Sequence, residues 1–157
     1  MMTDLGKARA LALAIAAALL GGAYVSQYWG GLHPCEMCWW QRYAHMAAIA
    51  LAVLAFGAAR TRLGKALVLL AGLAILVSGG IGVFHAGVEY HWWEGLTTCS
   101  TGAAGGSAND ILADILATPL IRCDQAQWTL FGLSLAGYNA LFSITGGLAV
   151  LWLALKR

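Results

Sequence analysis

Two cysteines separated by two residues, Cys35 and Cys38, lie in the stretch HPCEMCWWQR and are well suited to chemistry. Thiols at this spacing serve as zinc ligands, as structural disulfides or as redox centres. Two further cysteines, Cys99 and Cys123, are widely spaced downstream. One close pair and one wide pair match poorly to the usual zinc site of two close pairs. A Cys-x-x-Cys disulfide closes so small a loop that it constrains little, so the motif favours thiol–disulfide exchange.

The residues around Cys38 favour its ionised form. Pro34 precedes the motif, and because proline is favoured in the first turn of a helix, we expect a helix to begin within the motif. Cys38 would then lie near a helix N-terminus, where the dipole favours a thiolate. Arg42 lies one turn further on, where its charge can reach the same sulfur, whereas Glu36 opposes the effect. A lone arginine can instead be an interfacial anchor, but beside this cysteine spacing the functional role is favoured.

The elements that must position these cysteines are membrane-spanning helices. The chain has 157 residues, of which 61% are hydrophobic and 10% charged, and its mean hydropathy is +0.74. A soluble domain of this size could not bury so much apolar surface. Long stretches without charge predict an all-α bundle of four transmembrane helices, one membrane domain over residues 1–157. The spans are predicted near residues 10–28, 43–59, 66–87 and 134–155.

Basic residues predict the orientation of these spans. Seven of the nine Lys and Arg residues lie before the first span, between the second and third, or after the fourth. The positive-inside rule makes this side, with both termini, cytoplasmic. All four cysteines then lie in outer loops at about 29–42 and 88–130, which fits an oxidising compartment where disulfides persist. The alternative of a cleaved N-terminal signal peptide leaves the cysteines outside as well.

The second outer loop combines a flexible part with a helical part. A stretch rich in Gly, Ser and Ala, residues 100–108, follows Cys99 directly. Residues 109–118 then carry apolar side chains on one helical face, and Pro119 should end that helix. Because this helix is too short to span, it is predicted to lie on the outer membrane surface. The flexible link would let Cys99 and Cys123 separate and reconnect.

The histidines carry no clear assignment. His85 and His91 lie near the outer end of the third span and His33 adjoins the first motif. Each could polarise an acceptor oxygen or shuttle a proton, although a capping or interfacial role is favoured for each. His45 falls inside the second span, where a polar side chain should face the bundle interior or a cavity.

Two stretches of the chain match a known family. PCEMCWWQR is similar to a Pro-Cys-x-x-Cys-x-x-x-Arg motif, and RCDQAQWTLFGLSLAGYN is similar to the segment after that family's last cysteine. Over nearly its whole length the chain thus resembles the bacterial disulfide-bond formation protein B family (DsbB). The resemblance implies an inner-membrane thiol–disulfide oxidoreductase that reoxidises a periplasmic, DsbA-like thioredoxin-fold protein. The electrons would pass to a membrane quinone, ubiquinone or menaquinone. Neither a metal nor a nucleic acid is implied.

The resemblance also implies roles for individual residues. Cys99 and Cys123 would form the disulfide that faces the partner, with Cys99 making the mixed disulfide. Cys35 would bridge transiently to Cys123, and Cys38 would be the thiolate that contacts the quinone. Arg42 matches the family's arginine at the quinone site, and His85 and His91 are further candidate quinone contacts.

Two other functions remain open. A vitamin K epoxide reductase-like enzyme would use related chemistry, but such proteins usually carry the membrane-edge Cys-x-x-Cys late in the chain, the reverse of the order here. A non-catalytic four-helix membrane protein, such as a transporter or channel accessory subunit, would hold both cysteine pairs as structural disulfides. Quinone reduction by the purified protein with a reduced dithiol partner separates the catalytic from the non-catalytic function.

Overall fold

The structure, a computed structural model, describes residues 3–59, 61–96 and 122–156. These ranges contain four α-helices and a two-stranded antiparallel sheet. The helices are α1 (Asp4–Tyr28), α2 (Glu36–Gly57), α3 (Arg62–Glu89) and α4 (Leu135–Leu155), and the strands are β1 (Thr129–Leu130) and β2 (Leu133–Ser134). Cys99 and the predicted surface helix at 109–118 lie outside the described residues.

Three of the described helices, α1, α3 and α4, are long and apolar enough to cross a membrane. They correspond to the first, third and fourth predicted spans, so the prediction of an all-helical fold is confirmed, and three of the four predicted spans have helices of suitable length and composition. The second predicted span falls in α2, which is not apolar enough by the same measure. The cause is the polar first half of α2, which carries Gln41, Arg42 and His45. The count of four spans stays a prediction.

The residue directly before each described helix has a side chain that accepts a hydrogen bond from a backbone N–H of the first turn. Thr3, Thr61 and Ser134 cap α1, α3 and α4 in this way. For α2 the cap is Cys35, whose sulfur accepts from the backbone N–H of Cys38 at 3.3 Å. A side chain that satisfies an otherwise orphaned N–H stabilises the helix end. The predicted helix start within the cysteine motif is therefore confirmed.

Small residues allow the helices to approach closely. The buried core of the bundle consists mostly of alanines from all four described helices. Where α3 crosses α4, a Cβ placed on Gly79 would lie only 2.8 Å from the Cγ1 atom of Ile144. Close backbone approach of this kind is how helices associate in lipid.

A short hairpin links the segment after Cys123 to α4. Phe131 and Gly132 form its turn with φ angles of 49° and 78°, the left-handed region that tight two-residue hairpin turns require. Tyr90, which follows α3, fastens the hairpin. Its hydroxyl donates to the carbonyl of Gly132 and accepts from the N–H of Ser134, both at 2.9 Å. The chain that carries Cys123 is thus fixed against the end of α3.

Candidate redox site

The two close-spaced cysteines lie at the start of α2 with their sulfurs in contact. Cys35 is 3% exposed and donates its thiol proton to the Cys38 sulfur at 3.0 Å. This hydrogen bond lowers the pKa of Cys38, and Arg42 acts in the same direction, while burial and Glu89 act against them. The same contact raises the pKa of Cys35. The pair therefore keeps its proton on Cys35, and Cys38 is the sulfur that ionises first.

Cys123 reaches the same place from the far part of the chain. It is 4% exposed and packs in one buried cluster with Cys35. Four residues further on, the Gln127 side chain donates to the carbonyl of His33 at 2.6 Å, which ties this segment to the first loop. Three of the four predicted redox cysteines thus belong to one region, and Cys99 lies outside the described residues.

Hydrogen bonds fix the proton position on His85, which lies beside the dithiol. Its Nε2 is 3.5 Å from the Cys35 sulfur and its Nδ1 is 3.0 Å from Nε2 of Gln41. The Gln41 amide donates to the carbonyl of Met37 at 3.1 Å and accepts from Asn139 at 2.7 Å, which sets its orientation. Gln41 therefore offers an N–H to Nδ1 of His85. The proton of the neutral ring must then lie on Nε2, facing Cys35.

This tautomer bears on whether the cluster is a metal site. The ligand atoms of Cys35, Cys38 and His85 lie within 4.8 Å of one another, a spacing that a soft metal ion could bridge. Binding at Nε2 would require loss of its proton and would leave Nδ1–H pointed at an N–H of Gln41. The hydrogen bonds around His85 therefore favour thiol chemistry at these residues over metal binding.

The two histidines predicted as quinone contacts lie in different surroundings. His85 is 3% exposed and lines a cavity beside the cysteines. His91 lies beyond the end of α3, is exposed, and is absent from the described wall of that cavity. The structure therefore brings His85 to the site and leaves His91 outside it. His33, exposed in the first loop, also lines the cavity.

Arg42 is buried between α1 and α2 and is only 6% exposed. Its guanidinium carbon lies 5.0 Å from the ring centres of both Tyr24 and Trp39. It donates to the side chain of Gln27 at 2.5 Å and to the carbonyl of Ala23 at 3.1 Å. These contacts place Arg42 inside the protein rather than at the lipid surface, and they leave part of its N–H fork for other acceptors.

A polar network that the sequence reasoning missed joins α2, α3 and α4. His45, 3% exposed, has its Nε2 atom 2.8 Å from the Asn139 side-chain oxygen and 3.0 Å from the Ser78 hydroxyl. Asn139 also accepts from Ser143 at 3.0 Å and donates to Gln41. His45 faces the bundle interior, as expected. The polar residues inside apolar stretches were the available signal, but sequence does not show which of them meet.

A cavity of about 230 Å³ lies between α1 and the cysteine motif. Leu19 and Leu20 of α1 give it an apolar wall, and polar groups converge on it from the opposite side. Among these polar residues are Cys38, Gln41, Arg42, His85 and Glu89. Mostly apolar walls with a few convergent polar groups are typical of sites for small organic ligands. Glu89 was not predicted, because a carboxylate at the end of a span has no distinctive sequence signal.

Comparison with known proteins gives a consistent result. Residues 7–154 match the family described as Disulfide bond formation protein DsbB. The chain is 31% identical to Disulfide bond formation protein B of Marinobacter nauticus over 140 residues, 84% of this chain and 81% of the relative. It is 32% identical to the protein of that name from Aromatoleum aromaticum over 154 residues, 92% and 89% of the two chains. It is 33% identical to Disulfide bond formation protein B 2 of Pseudomonas syringae over 143 residues, 87% and 79%. No solved structure matches the chain.

Proposed function

Because the chain belongs to the DsbB family of membrane disulfide bond formation proteins, we propose that it is a quinone-dependent protein-disulfide oxidoreductase of the bacterial inner membrane. It reoxidises a periplasmic, DsbA-like thioredoxin-fold protein and passes the electrons to ubiquinone or menaquinone. In this proposal both termini are cytoplasmic and the reactive cysteines are periplasmic. Cys99 and Cys123 exchange with the partner, while Cys35 and Cys38 exchange with the quinone.

The observation that carries the proposal is the position of the Cys38 sulfur. Cys38 lines a mostly apolar cavity between α1 and the start of α2, and it is the sulfur of its pair that ionises first. A thiolate is the reactive form of cysteine. An electron acceptor that dissolves in lipid would enter such a cavity more readily than a charged soluble one, which favours a quinone.

The polar groups around the cavity suit the ring of a quinone. A quinone carries two carbonyl oxygens that accept hydrogen bonds, and when bound it supplies an acceptor of two electrons and two protons. Arg42 keeps part of its N–H fork for such an oxygen after donating to Gln27 and Ala23. His85, whose Nε2–H faces the cysteines, lies on the same cavity wall. The apolar side chains of α1 would cover the remainder of the ring.

The packing of Cys123 supports an exchange between the two cysteine pairs. Cys35 and Cys123 share one buried cluster, so a transient disulfide between them requires little chain movement. While Cys35 is engaged in that bond, Cys38 keeps its electron pair beside the cavity. Attack of Cys99 on Cys123 then re-forms the Cys99–Cys123 disulfide and releases Cys35 as a thiol. Oxidation of the resulting Cys35–Cys38 dithiol to its disulfide gives up two electrons, which pass to the quinone in the cavity.

The test is quinone reduction by the purified protein. With a reduced thioredoxin-fold dithiol partner and added quinone, the loss of quinone absorbance should match the disulfide formed in the partner. A Cys38→Ser variant should lose this activity, whereas Trp40→Phe, a nearby change in α2 outside the cavity wall, should keep it. Absence of quinone reduction by the parent protein would support a non-catalytic role and refute the proposal.

A further inference from the structure

Glu89, at the end of α3, has a buried carboxyl group whose two oxygens differ in their contacts. Its side chain is 8% exposed, and its Oε2 atom has no hydrogen-bond partner among the described residues. Its other oxygen, Oε1, lies 3.7 Å from Nε2 of His85. It is the one carboxyl group that the structure places on the described wall of the cavity. Burial raises the pKa of this carboxyl group, while a hydrogen bond with Ser134 acts in the opposite direction. A buried carboxyl group with one unpartnered oxygen beside a dithiol is a candidate for proton transfer.

His85 is poorly suited to take a proton from the dithiol. Its Nδ1 accepts from Gln41, and its Nε2 already carries the proton. Protonation of Nδ1 would require Gln41 to turn away from both Met37 and Asn139. His85 is therefore a hydrogen-bond donor, and the base of this site must be another group.

The cations on the cavity wall are engaged by groups other than Glu89. Arg42 of α2 lies between two aromatic rings and donates to α1. Arg122, in the segment that leads to the hairpin, makes two hydrogen bonds with Asp124 at 2.8 and 2.5 Å. The other titratable groups on that wall are His33 of the first loop, Cys35, Cys38 and His45 from the cysteine motif and α2, and His85 of α3. Among the described residues, the contact with His85 is the one ion-pair geometry that Glu89 makes.

Glu89 and Cys35 both lie beside the same nitrogen of His85. The Cys35 sulfur is 3.5 Å from the same His85 nitrogen that lies 3.7 Å from Glu89 Oε1. A base acts on a proton directly or through one water, and the cavity that both side chains line gives room for that path. The Glu89 charge also acts on the Cys38 thiol, since it raises the pKa of Cys38.

We propose, on the basis of the function proposed above, that Glu89 is the proton-transfer residue of the site. Its carboxylate takes the proton that Cys35 releases as the Cys35–Cys38 disulfide forms, and then gives it to the reduced acceptor in the cavity. With Cys38 already ionised, formation of this bond releases two electrons and one proton, and all three go to the quinone. The second proton of the quinol comes from solvent, and it balances the proton that Cys38 released to solvent when it ionised.

The first test uses reduced protein without quinone. The rate of Cys38 alkylation is measured against pH, with the modified residue identified by mass spectrometry. Glu89→Gln removes a negative charge from beside the thiolate, so the apparent pKa of Cys38 should fall by roughly one unit. The matched control is Glu36→Gln, which also adjoins the motif but does not line the cavity, and it should shift the pKa by less. An unchanged pKa in Glu89→Gln, or an equal shift in the control, overturns the proposal.

The second test measures turnover with partner and added quinone. Loss of a positioned base should slow Glu89→Gln by roughly a hundredfold, although its Cys38 is ionised to a greater extent. A merely structural role would not slow turnover while making the thiol more acidic. Glu89→Asp keeps an ionisable group, so it should restore the Cys38 pKa and part of the turnover, and it serves if the Gln variant does not fold. Turnover near that of the parent protein in Glu89→Gln overturns the proposal.

The two proposals fail in different ways. A parent protein that reduces no quinone refutes the proposed function, and Cys38 alkylation then still decides whether Glu89 is coupled to the thiol. A parent protein that reduces quinone, with a Glu89→Gln variant as fast as the parent, refutes the role of Glu89 alone.

Discussion

At the scale of single residues, the reactivity of the site depends on what surrounds one sulfur. The Cys38 thiolate receives a hydrogen bond from Cys35 and the field of Arg42, while burial and Glu89 oppose its charge. The net effect lowers the pKa of Cys38, so its thiolate persists to lower pH than an ordinary thiol allows and is lost as the pH falls through that lowered pKa. Each of these influences can be removed separately.

Removal of the Cys35 donor should make Cys38 less acidic. In Cys35→Ala the hydrogen bond to the thiolate is gone, so the midpoint of Cys38 alkylation should move to higher pH. Cys35→Ser keeps a donor and should move that midpoint less. Stopped-flow alkylation across the pH range measures both. Equal midpoints in the two variants would mean that the hydrogen bond has no part in the acidity of Cys38.

Removal of the Arg42 charge should affect both acidity and stability. Arg42→Gln should raise the pKa of Cys38 and weaken quinone use, because a positive charge near the thiolate is lost. Arg42→Lys keeps the charge and should leave the pKa of Cys38 close to that of the parent. Both variants lose contacts with α1, so unfolding should become easier by about 1–3 kcal/mol. If the pKa of Cys38 were the same in Arg42→Gln as in the parent protein, the role of Arg42 would be only to hold α1 and α2 together.

At the scale of elements, the helices were largely predictable and their polar contacts were not. The uncharged windows gave the third and fourth spans to within a few residues of α3 and α4, because charges are costly in lipid. The second window missed the start of α2, since Cys35 caps the helix ahead of its apolar part. The meeting of Gln41, His85 and Asn139 depends on helix rotation and packing, which a single sequence does not reveal.

The polar network between the helices should control the His85 tautomer. Asn139→Leu leaves the Gln41 side-chain oxygen without its donor, which frees the Gln41 amide to turn. Nitrogen NMR shifts of His85 should then show a mixture of the two neutral tautomers, with a single form in the parent protein. Ser143→Ala removes one bond to Asn139 and keeps that donor, so it should retain the single form. A single tautomer in Asn139→Leu would contradict this account.

At the scale of the whole molecule, the charge distribution predicts the orientation in the membrane. Trp29 and Leu96 are 85% and 78% exposed at one end of the bundle, and Lys156 lies after α4 at the other. In a chain without other cysteines, Trp29→Cys and Leu96→Cys should react in intact cells with an impermeant thiol reagent. Lys156→Cys should react only after permeabilisation. The reverse pattern would invert the orientation and place the reactive cysteines in the cytoplasm.

The N-terminal cap of α2 connects disulfide formation at Cys35 to the stability of the first turn of this helix. The Cys35 sulfur that accepts the amide N–H of Cys38 is also the sulfur proposed to bond Cys123, so a disulfide that draws this sulfur toward Cys123 should weaken the first turn of α2. Loss of a cap typically costs about 1 kcal/mol, which should speed amide hydrogen exchange at Cys38 several-fold. By the same coupling, a more stable first turn should make the Cys35 sulfur less available for a bond to Cys123. The exchange rate of one backbone amide should therefore report the redox state of the protein.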